Sequence, residues 1–244
     1  MLQFLKNLFK SDDTYTTDDK PKITEEEFYA NLSWSIVPDI DVDETGKYTI
    51  LIVDDEWIAI DVIKSDIDIL KNLADTLKVD DRKLVKREKD ILSYIETEMN
   101  IVVNGKQIPF IDGLKSINFN DFKAVGVSGD DAGVKAIKFI NSNKTNIDIA
   151  ILDIIMGRFY DSIQDHSFYI DGVDVLKTLL KHNPDVHYFF YSGFPIEEDN
   201  IEHTKFKALN GCELESNRVF KDSNHTKRRI HILRLMLELT LKEP

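Results

Sequence analysis

The chain has 244 residues, 42% of them hydrophobic and 31% charged, with a formal net charge of -13. That length sustains a real core, and the acidic balance opposes phosphate backbones, which argues against nucleic-acid binding. A single cysteine, Cys212, excludes an internal disulfide and a cysteine-based zinc site, and it fits an ordinary thiol in a reducing cytoplasm.

The N-terminal MLQFLKNLFK places Leu2, Leu5 and Phe9 on one face of a short helix, flanked by Lys6 and Lys10. It lacks the apolar length and cleavage site of a secretory signal, and no run in the chain is long enough to cross a bilayer, so no stable membrane insertion is expected. Residues 11–46 are polar and acidic, and Thr24 with Glu27 forms a capping-box pattern that predicts a helix from Glu25 to Leu32. Residues 1–47 therefore read as an N-terminal extension.

At Tyr48 the texture changes. YTILIVDD is a continuous apolar run ending in two aspartates, the pattern of a buried parallel strand with polar groups at its carboxyl end. Similar runs follow at Phe122–Val127, Ile147–Leu152, Val186–Tyr191 and Arg218–Phe220. Helical spacing lies between them at Asp130–Ile140, Val173–Leu180 and, more polar, Pro195–Leu209, with a last apolar helix at Lys227–Leu241. Five strands alternating with helices imply an α/β fold with a doubly wound parallel sheet, whose ligands bind at the carboxyl strand ends.

The stretch from Ile58 to Asp121 is too long for one helix and one loop. Ile60–Leu77 and Asp81–Met99 both read as helices and suggest an antiparallel pair, and Asn104-Gly105 within IVVNGKQIPF signals a β-hairpin. This places an insertion at about residues 64–120. A second loop insertion, MGRFYDSIQDHSFYIDG, covers about residues 157–170; His166 within it reads as a solvated side chain.

The strand ends carry the chemistry. Asp54 and Asp55 end the first strand, Asp153 the third, Ser192-Gly193 the fourth and Lys221 the fifth. Three carboxylates in one pocket repel, and a divalent cation such as Mg²⁺ relieves that cost. A lysine and a serine hydroxyl suit a phosphoryl group. These are the groups needed to transfer a phosphoryl group to a carboxylate.

The stretches ILIVDDE, DIAILDIIM, DGVDVLKTLL, PDVHYFFYSG and VFK together resemble the receiver domain of two-component response regulators, over Tyr48 to about Leu241. The resemblance implies a five-stranded, flavodoxin-like receiver spanning residues 48–242. It makes Asp153 the phosphoacceptor. Asp54, Asp55, Asp153 and the main-chain carbonyl of Ile155 become Mg²⁺ ligands, and Ser192 and Lys221 contact the phosphoryl group. It further implies a histidine kinase or phosphotransfer protein as donor and a downstream protein target, with signalling by contact in place of enzymatic turnover. Gly157 stands where the family has proline, Asp222 follows Lys221 in place of another proline, and Arg218 occupies the place of the usual aromatic switch residue. Tyr191 and Phe190 read as core residues. Ile155 and Phe194 flank the path of hydrolytic water in receivers, so their apolar character predicts slow loss of the phosphoryl group.

After Lys221 the sequence reads as the last receiver helix and then stops, so output by protein contact is expected. HILRLMLELTL is apolar on nearly every face, so part of it is expected to bury a partner or a second copy in a homodimer, and Lys227, Arg228 and Arg229 read as its solvated start. A phosphorylation-independent receiver-like adaptor is the main competing reading. A haloacid-dehalogenase-like phosphatase is disfavoured because Ile155 stands where its general acid belongs.

Overall fold

The computed structural model describes residues 46–79, 100–129, 131–142, 146–156, 170–193, 218–221 and 225–241. The expected helices at Met1–Lys10, Glu25–Leu32, Asp81–Met99 and Pro195–Leu209 lie outside the described residues, as do Gly157, His166, Phe194, Cys212 and Asp222.

Five strands form one parallel sheet: β1 (Tyr48–Val53), β4 (Phe122–Val127), β5 (Ile149–Leu152), β6 (His187–Ser192) and β7 (Arg218–Phe220). Their order is β4-β1-β5-β6-β7. Counting only these strands, that is the 2-1-3-4-5 arrangement of doubly wound, flavodoxin-like sheets. β1 pairs with β4 from Tyr48↔Phe122 to Val53↔Val127 and with β5 from Ile50↔Ile149 to Val53↔Leu152. The order reverses at β1, so the crevice between the loops after β1 and β5 is the place where such a sheet binds ligands.

Every residue of β1 is buried, as a strand covered on both faces requires. Ile50 and Ile52, Ile149 and Ile151, Phe189 and Tyr191, and Val219 share a core with α1 (Trp57–Val79) and α5 (His225–Thr240). On the other face lie α3 (Ala132–Ser142) and α4 (Gly172–His182), which pack on each other. Among the described residues no helix is long and apolar enough to cross a membrane.

The chain between β1 and β4 builds onto the first of these cores. α1 runs without a break through Lys64, the expected start of the insertion, to Val79. β2 (Asn100–Val103) and β3 (Lys106–Pro109) form an antiparallel hairpin in which Val103 faces Lys106. Asn104 and Gly105 both have positive φ, 50° and 76°, the backbone of a two-residue type I′ turn. A short helix, α2 (Phe110–Ser116), and a 3₁₀ turn at Phe119–Asp121 lead into β4. Ile101, Val103, Phe110, Leu114 and Ile117 enter the same core as Leu233, Leu235, Met236 and Leu237 of α5. A Cβ on Gly113 would lie 2.9 Å from Leu237 Cδ1, so α2 packs closely on α5. Much of the surplus apolar face of the last helix, expected to meet a partner or a second copy, is therefore covered by the chain's own insertion, while Leu241 stays 50% exposed.

A second expectation, the solvated basic start of this helix, holds for exposed Lys227 but is corrected for the two arginines. Arg228 is not solvated: it is 1% exposed and ion-paired with Asp66 of α1, which Arg229 also contacts. Arg228 and Arg229 turn inward to the buried Asp66 carboxylate, whose charge would be strongly destabilising if left unpaired.

Candidate acidic pocket at the carboxyl strand ends

Hydrogen bonds that continue the strand ladders place each side chain. Asp54 N donates to Val127 O, Asp153 N to Val53 O, and Lys221 N to Ser192 O. Asp54 and Asp153 thus sit side by side just past the ends of β1 and β5. Both are nearly sealed from solvent, at 1% and 3% exposure, and Ser192 at the end of β6 is fully buried.

Lys221 Nζ bridges the two buried aspartates, donating to Asp54 Oδ1 at 2.9 Å and Asp153 Oδ2 at 2.9 Å. Glu56 lies farther off at 3.9 Å. The Ser192 hydroxyl also hydrogen-bonds the Asp153 carboxylate. Burial, and then the neighbouring Asp153 charge, push Asp54 up to about 7 against the opposing pull of Lys221. Burial likewise pushes Asp153 above the usual carboxylate range, with Lys221 opposing it. For Lys221, burial alone would lower the pKa, but Asp153 and Asp54 outweigh it and hold the ammonium above its ordinary value. The cluster is a strained triad: two desolvated carboxylates held by one cation.

The donor set suits a hard divalent cation. Asp54, Asp55 and Asp153 each offer an oxygen, and these atoms all lie within 4.8 Å of one another. Asp153 Oδ1 is buried and finds no hydrogen-bond partner among the described residues. Asp54 Oδ2, although 2.8 Å from the Lys221 ammonium, accepts no well-angled bond. All-oxygen carboxylate sites of this kind fit Mg²⁺ or Ca²⁺ better than softer metals.

The sequence-expected residues Asp54, Asp55, Asp153, Ser192 and Lys221 are thus brought together. Ile155 lies half-buried in the loop after Asp153, between buried Ile154 and Met156. Sequence reasoning passed over two residues that shape this loop. Asp171 caps α4, accepting from Val173 N and Asp174 N and completing a capping box with Asp174. Gly172 donates its N–H to Ile154 O, and a Cβ there would fall 1.9 Å from the carbonyl oxygen of Asp153. Only glycine permits that approach. Asp-Gly ahead of an apolar helical run was the available signal.

Trp57 and Ile58, the first residues of α1, are 64% and 57% exposed and lie next to Glu56.

No protein-family model and no curated protein matches the chain. Among solved structures it is similar to the crystal structure of a two component transcriptional regulator AraC from Clostridium phytofermentans ISDg. That likeness covers 80% of this chain and 97% of that one, at 15% identity and a TM-score of 0.41. It is also similar to the crystal structure of a response regulator receiver protein from Sinorhizobium medicae WSM419, over 78% of this chain and 94% of that one, at 16% identity and a TM-score of 0.37. Independently of both, the chain's own strand order makes it a doubly wound, flavodoxin-like α/β protein.

Proposed function

We propose that this protein is a response-regulator receiver that accepts a phosphoryl group on Asp153 and signals by contact with other proteins. The observation that carries the reading is the Lys221 ammonium held 2.9 Å from both Asp54 and Asp153 at the carboxyl edge of the sheet. Asp54, Asp55, Asp153 and the main-chain carbonyl of Ile155 would hold Mg²⁺, which when bound supplies positive charge to the carboxylates and to the incoming phosphoryl oxygens.

The chain's own groups do the rest. An Asp153 carboxylate oxygen attacks phosphorus as the N–P bond of a phosphohistidine breaks. The electron pair returns to the imidazole nitrogen, which leaves and picks up a proton from water. Lys221 exchanges part of its bonding to Asp153 for a phosphoryl oxygen, keeping a positive charge beside the new negative one. The Ser192 hydroxyl, now spent on the Asp153 carboxylate, turns its proton to another phosphoryl oxygen. The donor would be a histidine kinase or a phosphotransfer protein and the output a protein target. The described part of the insertion already buries much of the last helix, which leaves Leu241, 50% exposed, as the apolar remainder open to a partner or a second copy.

The test is intact mass after incubation with Mg²⁺ and a small phosphodonor. Wild type gains one phosphoryl group and Asp153→Ala gains none. Equal behaviour of the two, with no beryllium fluoride binding by wild type, would move the assignment to a phosphorylation-independent adaptor.

A further inference from the structure

Tyr191 joins the acceptor pocket to the paired helices beneath it. It precedes Ser192 on β6, but its ring turns to the opposite face of the sheet, into the core shared by α1 and α5. Its hydroxyl donates to the main-chain carbonyl of Lys221 at 3.4 Å and accepts from Arg228 Nη1 at 2.8 Å. The other Arg228 nitrogens are also committed, Nε to Asp66 and Nη2 to His225 Nδ1 at 3.1 Å. Arg229 Nε holds the second oxygen of Asp66 at 2.7 Å. A continuous chain of bonds therefore runs from the Lys221 backbone through one phenol to an ion pair clamping α5 to α1.

The links differ in strength. The Arg228–Asp66 pair is charged, nearly sealed from solvent and close, which makes it stiff. The Tyr191–Lys221 contact, at 3.4 Å, lies beyond the usual O–H···O range of about 2.5–3.0 Å, so a shift of a few tenths of an ångström decides whether the bond exists. Burial pushes the Tyr191 pKa up, against the pull of Arg228, so the phenol keeps the proton it donates. The weak link adjoins the residue whose ammonium must rearrange when a phosphoryl group arrives. Replacing a buried ion pair by apolar residues often costs a protein nothing, so stability alone gives little reason to build one against the sheet.

We propose that Tyr191 is a positioning residue for Lys221, and that the Tyr191–Arg228–Asp66 chain transmits occupancy of the acidic pocket to the N-terminal half of α5 and the facing turn of α1. The inference rests on the receiver reading above. It puts the readout on a sheet face separate from Arg218, which stands where an aromatic switch was missing.

The experiment is hydrogen exchange of the full chain with and without Mg²⁺ and beryllium fluoride, a phosphoryl mimic. In wild type, binding should change the protection of residues 225–235. In Tyr191→Phe, which keeps the ring and the core, beryllium fluoride should still bind, with affinity reduced by about tenfold at most for one lost hydrogen bond, while the response at 225–235 is lost. Arg228→Met leaves Asp66 paired to Arg229. Because coupling is reciprocal, it should shift beryllium fluoride affinity by about fivefold or more. An unchanged response in Tyr191→Phe overturns the proposal, as does a wild type that binds the mimic with no change at 225–235. Failure of wild type to bind at all removes the receiver reading, and the coupling with it.

Discussion

At the residue scale the pocket depends on atoms that cannot be moved. A Cβ at Gly172 would strike the backbone oxygen of Asp153 at 1.9 Å, and no rotamer change relieves a clash with main chain. On the proposed receiver reading, Gly172→Ala should abolish acceptance at Asp153 or slow it by about a hundredfold, because misplacement of a reacting group by an ångström is that costly. Intact-mass kinetics beside wild type check it. On the receiver reading proposed above, the apolar residue types at positions 155 and 194 are expected to slow loss of the phosphoryl group, so an Ile155→Asn, Phe194→Glu double variant should lose it faster than wild type. Equal half-lives would sink that idea.

His231 on α5 gives a pH signature. Burial first, then the nearby Arg234 and Lys227 charges, lower it to about 4, with Glu238 opposing. Its Nδ1 is buried without a partner among the described residues, and its ring lies 5.8 Å from that of Phe189. The folded state thus resists a proton that the unfolded chain takes up near 6.5. Between those values the unfolded state binds more protons, so stability falls as pH drops from about 6.5 towards 4, by at most ~1.4 kcal/mol per pH unit. His231→Leu should flatten that part of a stability-versus-pH curve. A slope identical to wild type would exclude His231 as the source.

Among the elements, what the sequence disclosed and what it hid follow one physical rule. Strands ending in Asp54, Asp153, Ser192 and Lys221 were legible because a buried parallel strand is an unbroken apolar run and its polar stop falls at the sheet edge. Asn104-Gly105 was legible because few other pairs tolerate two positive φ values. α2 was not, since seven residues interrupted by Gly113 show no helical period. The inward turn of Arg228 was hidden too, because Asp66 lies far off in sequence and nothing local marks it as the partner. The apolar surplus of α5 was visible as a surplus, but which surface covers it is a tertiary fact. Leu114→Ala, removing a fully buried side chain from α2, should cost about 2–5 kcal/mol. Denaturant melts give the value.

For the molecule as a whole, the described part of the insertion and the sheet share one core. Leu114→Ala should therefore lower the stability of β1 and α5 along with that of the hairpin, in a single transition seen alike by far-UV and near-UV circular dichroism. Two separated transitions would show that the insertion folds by itself. The net charge of -13 also favours association with basic partner surfaces and makes its rate salt-dependent.

The pairing of β1 has a kinetic consequence. Its two neighbours, β4 and β5, are both built from chain that lies far downstream, beyond the whole insertion. This interior strand therefore stays unpaired until that length has closed. Doubling a flexible loop costs only ~0.6 kcal/mol, so the delay lies less in closure entropy than in the order of events. The β2–β3 turn and α1 are local and form early; by folding first they shorten the effective loop. Refolding should then be limited by the late docking of β1, during which a bare, largely apolar strand is exposed to aggregation.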